Sequence, residues 1–432
     1  MKQSFYLTVL TLLLFKGAFA QDITTSDITH FWDAYDKITA TKDSVQQYDY
    51  LNTLFIDPGT PGLKAIMKVK RYTAKSYIDA INQYPQFWHS VRANTFKANS
   101  YAKEIAVDIR KLKKLYPGLR PAQIYFTIGA LRSGGTTQGN MVLIGSELAL
   151  ADPHTVTSEF PATFSNLRTF FDSDPPKHVA FTNTHEYVHT QQKTTQIDNL
   201  LAQCVMEGVA EFVAVKATGE ISAAPAIGYG KDNMEKIRQK FETQLFNTGT
   251  GFWLYSDAAN EFGVRDLGYY VGYAVCEKYY DKAPDKKLAI KQMIELDYAN
   301  ENDLAAFVDA SGYFETSVQK LKERYEEKRP VVISVKPFGD DTGDVSPATQ
   351  QITIVFSAPM DKGYRNFELG PLGEDHLMKI KRIVGFSEDG RSLTLEIGLQ
   401  PDSQYQIVIG KGFRNAEGAR LKPYLIDFKT GK

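Results

Sequence analysis

Between Ser26 and Tyr116 apolar residues recur at intervals of three and four, as in HFWDAYDKI, AKSYIDAINQY and NSYAKEIAVDIRKLKKLY. That is the period of helices with one buried face. Pro-Gly pairs at Pro58-Gly59, Pro61-Gly62 and Pro117-Gly118 punctuate the run. The pattern then changes. QIYFTIG (Gln123 to Gly129) and NMVLIG (Asn140 to Gly145) read as strands around a glycine-rich turn, Ser133-Gly134-Gly135. Helices resume at Asp174-Pro175-Pro176, a predicted cap followed by proline in the first turn, where no amide hydrogen is missed. A further helix is predicted from Gln196 to Ala217, ending at Gly219, the residue best suited to a left-handed cap. Helical periods continue through YYVGYAVCEKYY and SVQKLKERYEEK.

After Arg329-Pro330 the texture is different. VVISV, QITIVF, SLTLEI, YQIVIG and LIDFKT are short alternating segments separated by turn signals such as Glu388-Asp389-Gly390. Such spacing predicts a β-sandwich of about a hundred residues. The expected class is therefore α+β: a mainly helical domain with a small sheet at 21–328, then an all-β domain at 329–432.

The first residues stand apart. A basic start (Met1-Lys2), an apolar run from Tyr6 to Phe15 and the ending Ala18-Phe19-Ala20 have the form of a signal peptide at 1–20. Cleavage is expected between Ala20 and Gln21, and the mature protein is expected to be exported, periplasmic or extracellular. The run is shorter than a transmembrane span, and no later segment is apolar enough to make one. Export implies an oxidising compartment, yet the chain has only 2 cysteines, Cys204 and Cys276. Sequence alone leaves open whether they pair. The 50 basic residues nearly balance the 51 acidic ones, so no nucleic-acid footprint is expected.

The candidate chemistry lies in NTHEYVHTQQ, from Asn183 to Gln192. In a helix, residues four apart share a face, so His185 and His189 can offer two imidazoles to one Zn2+. Glu186 lies beside the first ligand, where it reaches a metal-bound water and acts as general base and then acid. With 7 histidines in the chain, this motif arises by chance in on the order of one such protein in a hundred. Eighteen positions after His189, Glu207 in MEGVAEF supplies a third ligand from the next helix. Two histidines, one carboxylate and an open position describe a catalytic zinc site, whereas structural sites close all four positions. Glu211, one turn beyond, is placed to accept the outer N–H of a ligating histidine.

HEYVH together with EGVAEF resembles the gluzincin metallopeptidases, which pair His-Glu-x-x-His with a distal glutamate on a second helix. More loosely, 26–328 resembles a family of predicted zinc-dependent proteases. The resemblance implies peptide or protein substrates. It also implies that Tyr269 of GYYVGY, with Gly272 three residues on, donates its hydroxyl to the oxyanion of the reacting carbonyl, Tyr273 being the second choice. The stretch GALRSGGTTQGNMV lacks the acidic residue with which related aminopeptidases capture a substrate's amino terminus. Met141 to Gly145 or Gln123 to Ile128 is instead a candidate sheet edge for an extended substrate, with ordinary internal pairing the equal alternative. The segment after Arg329 resembles bacterial Ig-like modules of exported and surface proteins. The alternative expectation is a non-catalytic protein that keeps the zinc for structure, or a surface-binding protein whose Ig-like part is the functional one.

Overall fold

The computed structural model describes residues 23–193, 199–338 and 345–432. The expected signal peptide and its cleavage point lie outside the described residues, as does the predicted helix start at Gln196. The chain divides into two compact units, the first ending at Thr190 and the second beginning at Gln191.

The first unit opens with strand β1 (Ile23–Thr24) and helices α1 (Ser26–Thr39), α2 (Ser44–Leu51), α3 (Pro61–Lys70), α4 (Ala74–Gln83), α5 (Pro85–Thr95) and α6 (Ala102–Leu115). This is the region whose three-and-four period predicts helices. Its apolar faces meet in an aromatic cluster in which Phe31 lies 4.9 Å from Trp88 and 5.3 Å from Phe55, centroid to centroid. The Trp32 indole N–H, buried in the same cluster, donates to Thr95 Oγ1 at 2.9 Å, so its polar atom is satisfied.

A small sheet follows, made of β1, β2 (Gln123–Thr127), β3 (Gly135–Gln138) and β4 (Met141–Gly145) in the order β1-β2-β4-β3. β2 and β4 run parallel and β3 returns antiparallel to β4. The order decides between a substrate-pairing edge and ordinary internal pairing for these strands. Met141–Gly145 is interior, flanked by β2 and β3, and β1 covers Ile124 and Tyr125 of β2. The free edge on the other side is β3, which sequence did not predict because Gly-Thr-Thr-Gln has no apolar alternation. Helices α7 (Ser146–Ala149), α8 (Asn166–Asp172) and α9 (Val179–His189) complete the unit. The predicted start at Asp174 also shifts: Pro175–His178 form a 3₁₀ turn, and α9 begins only at Val179. Asp174 makes no side-chain cap; its carboxylate pairs with Lys177 at 2.8 Å instead.

The second unit contains α10 (Leu200–Thr218), α11 (Pro225–Asp232), α12 (Met234–Glu242), α13 (Leu267–Lys282), α14 (Lys286–Ile294), α15 (Glu301–Ser311) and α16 (Val318–Lys328). Asn199 caps α10 by accepting from the Ala202 N–H at 2.8 Å, and Gly219 closes it at φ 81°. α10 and α13 pack backbone to backbone. A Cβ added to Gly272 would lie 1.8 Å from the Cys204 carbonyl oxygen, and one on Gly208 would lie 2.0 Å from the Gly272 carbonyl carbon. Both cysteines are buried free thiols in this pair of helices.

From Val332 the second unit is strand-rich. β5 (Val332–Lys336), β6 (Gln351–Phe356), β9 (Ser392–Gly398) and β8 (Lys379–Phe386) form one sheet in the order β5-β6-β9-β8; β11 (Tyr424–Lys429), β10 (Gln404–Ile409) and β7 (Phe367–Glu368) form another in the order β11-β10-β7. Alternate residues enter one core, Ile352, Ile354 and Leu395 from the first sheet and Ile407, Ile409 and Phe428 from the second. β8, an edge strand interrupted by two register shifts, is mostly exposed, and its charged sequence KIKRIVGF hides it from an alternation search. Asn247, which donates to the Glu417 carbonyl at 2.9 Å, and Arg329, which donates to the carbonyls of Arg420 and Leu421, tie these sheets to the helices of the same unit.

Candidate metal centre

α9 owes its rotation to Tyr187, midway between the two histidines of the motif. Its ring is fully buried, and its hydroxyl accepts from the Ala122 N–H at 2.8 Å just ahead of β2 and donates to the Arg120 carbonyl. With Tyr187 fixed on one side of the helix, His185 and His189 share another. Their Nε2 atoms lie 3.1 Å apart and the rings stand edge to face. Two imidazole nitrogens bound to one tetrahedral zinc at 2.0–2.1 Å would be about 3.3 Å apart, so the pair already has the separation that a shared ion requires.

The third donor is Glu207 on α10. Ligand atoms of His185, His189 and Glu207 all lie within 4.8 Å of one another, and among the described residues no other group of three such side chains comes together. His185 and Glu207 are buried, and His189 is half-buried. Two imidazoles and one carboxylate match the donor set of a catalytic zinc site, with a position left open. The chain thus carries a His-His-Glu group fit for zinc.

Glu186 is half-buried on α9 beside the edge strand β3. A Cβ on Gly135, the first residue of that strand, would lie 2.8 Å from Glu186 Oε1. The absence of a side chain at Gly135 is therefore what leaves room for the Glu186 carboxylate. The turn that delivers Gly135 is held by the fully buried Glu147, whose Oε2 accepts from the Gly129 N–H at 2.8 Å and whose Oε1 accepts from the Leu131 N–H at 3.2 Å. Burial pushes the Glu147 carboxyl up to about 7 despite these donors. The sequence placed Gly135 in a glycine-rich turn but gave no sign of its role beside Glu186, and Glu147 carried no signal.

Glu211 is buried one turn beyond Glu207 on α10, and the Ser222 hydroxyl donates to its Oε1. Tyr269 is half-buried in the first turn of α13. Tyr273 packs instead: it is buried edge to face against Phe212, and desolvation raises its hydroxyl to about 12. Gly272 serves the close approach of α13 to α10 described above. Cys204 packs as well, with burial holding its thiol well above the usual range. Tyr255, in the loop between α12 and α13, had no sequence signal at all. Its hydroxyl donates to Glu207 Oε1 at 2.5 Å.

Residues 169–300 match the family described as "Predicted Zn-dependent protease (DUF2268)". The matched stretch includes all three candidate ligands, Glu186, Tyr255 and Tyr269. No curated protein matches the chain. Among solved structures, the chain is similar to the N-terminal part of the bacterial S-layer protein SbsC, at 16% identity over 62% of this chain and 63% of that one, with a TM-score of 0.20. The S-layer protein rSbsC(31-844) matches at 14% identity over 94% of this chain and 45% of that chain, again with a TM-score of 0.20. The chain thus spans less than two thirds of these proteins' lengths, and likeness at that TM-score carries no argument about fold or role. No described helix is long and apolar enough to cross a membrane.

Proposed function

We propose that the protein is an exported zinc-dependent peptidase of the gluzincin kind, with an Ig-like module at 329–432 that spaces or docks the catalytic part. The observation that carries this reading is the His185–His189–Glu207 group within a segment that matches a zinc-dependent protease family. Zinc held there would supply Lewis acidity, polarising the scissile carbonyl and acidifying a water.

The chain's own residues do the rest. Glu186 takes the proton from the attacking water and returns it to the departing amine. Gly135 keeps the space that this carboxylate needs, and the edge strand β3 offers unpaired backbone groups to an extended peptide. Tyr269 donates its hydroxyl to the negative charge that develops on the carbonyl oxygen. Glu211 supports the ligand set from one turn beyond Glu207. The export assignment rests on the form of the first twenty residues.

The test is digestion of a mixed peptide library by the zinc-loaded protein and by its Glu186→Gln variant. Hydrolysis should fall by about 10²- to 10⁴-fold with zinc retained. Equal cleavage by the variant would remove Glu186 from the chemistry, and no cleavage by either would favour a non-catalytic zinc protein.

A further inference from the structure

The loop that follows α12 is anchored at its centre and strained at its tip. Trp253 is buried, its indole N–H donating to Gln244 Oε1 at 2.7 Å, and Leu254 beside it is fully buried. The Trp253 carbonyl accepts from the Gly268 N–H at 2.8 Å, which fixes the loop to the first turn of α13. The next residue, Tyr255, adopts a left-handed backbone at φ 59°. That conformation is costly for a bulky side chain and persists only where neighbouring contacts enforce it. Two contacts do so. The Tyr255 N–H donates to Asp266 Oδ1 at 2.6 Å, and Asp266 is itself left-handed at φ 60°. Arg265 clamps Asp266 from its other oxygen, with Nε to Oδ2 at 2.7 Å.

This geometry turns the Tyr255 side chain back toward α10. The residue remains 57% exposed, so apolar burial does not explain its position. The hydroxyl ends on Glu207 Oε1, and the ring meets Tyr269 edge to face at 6.4 Å. A strained backbone, an exposed residue and a hydrogen bond to a candidate ligand make a consistent set.

We propose that Tyr255 is the positioning residue for Glu207. Resting on the zinc reading above, the inference adds a residue that acts on the metal through its ligand. The phenol holds one carboxylate oxygen and fixes the rotation of the group, which would leave the other oxygen for the ion. An unheld glutamate would lose rotamer freedom on each binding event, and its affinity would fall accordingly. Asp266 contributes by holding the Tyr255 backbone in the conformation that this contact requires.

The experiment is zinc affinity, measured by competition with a chromogenic chelator on the full chain, for wild type and for Tyr255→Phe, Asp266→Ala and Tyr269→Phe. Tyr255→Phe keeps the ring and removes only the hydroxyl; it should weaken zinc binding about 10- to 100-fold, with the metal-free protein still folded and melting within a few degrees of wild type. Asp266→Ala should weaken it in the same direction by less. Tyr269→Phe should lower hydrolysis while leaving zinc affinity within about two-fold of wild type. If Tyr255→Phe binds zinc as tightly as wild type, the positioning role is overturned while the zinc reading stands. If wild type itself takes up no zinc, the zinc reading fails and this inference with it.

Discussion

Glu207 is reached from two parts of the second unit, and the two are built on opposite terms. α10 delivers the carboxylate from a regular, capped and buried helix, locked against α13 through Gly208 and Gly272. The loop after α12 delivers the Tyr255 hydroxyl from a left-handed residue that lies largely in solvent. One side is rigid because its backbones touch. The other holds its conformation through polar contacts, among them those of Trp253, Tyr255 and Asp266. A ligand belongs on the first kind of support, because misplacing it loses the ion; a group that adjusts a ligand can reside on the second.

The difference can be broken at its stronger side first. Gly272→Val places a Cβ 1.8 Å from the Cys204 carbonyl oxygen, and neither helix backbone can yield locally. The variant should lose about 3 kcal/mol or more of stability, read from the urea midpoint of the metal-free protein. A loss below about 0.5 kcal/mol would mean that the helix pair is looser than described.

The weaker side responds with the opposite sign. Tyr255→Gly removes the phenol and also relieves the left-handed strain, which typically costs about 1–3 kcal/mol for a residue with a side chain. After allowing for glycine's greater freedom in the unfolded chain, the metal-free variant should gain up to about 1 kcal/mol. Zinc affinity should still fall as for Tyr255→Phe. Stability and metal affinity then move apart in one variant. If instead the metal-free protein is destabilised by more than about 1 kcal/mol, Tyr255 is a packing residue.

The same contrast explains what sequence could reveal. His185, Glu186 and His189 are legible because a helix converts spacing into a shared face, and Glu207 because a second helix repeats the device. The glycines at 208 and 272 stood inside quoted motifs, but nothing in one sequence shows that two of them face each other. β6, β9 and β10 were found because alternate residues enter one core; β3 and β8 were not, since one is short and polar and the other is charged and at an edge. Tyr255 and Glu147 are the instructive omissions. Each acts through backbone conformation or through a partner far away in sequence, Glu207 for the first and Gly129 and Leu131 for the second. No period or spacing encodes such contacts.

His185, His189 and Glu207 are proposed to act as one zinc site. Its most direct test is metal content and zinc titration of the purified chain beside His189→Ala and Glu207→Ala. One zinc per chain in the wild type, lost or greatly weakened in both variants, is the predicted result. Zinc retained at full stoichiometry and affinity in either variant would show that the ion, if bound, sits elsewhere, and a wild type that takes up none would contradict the site altogether.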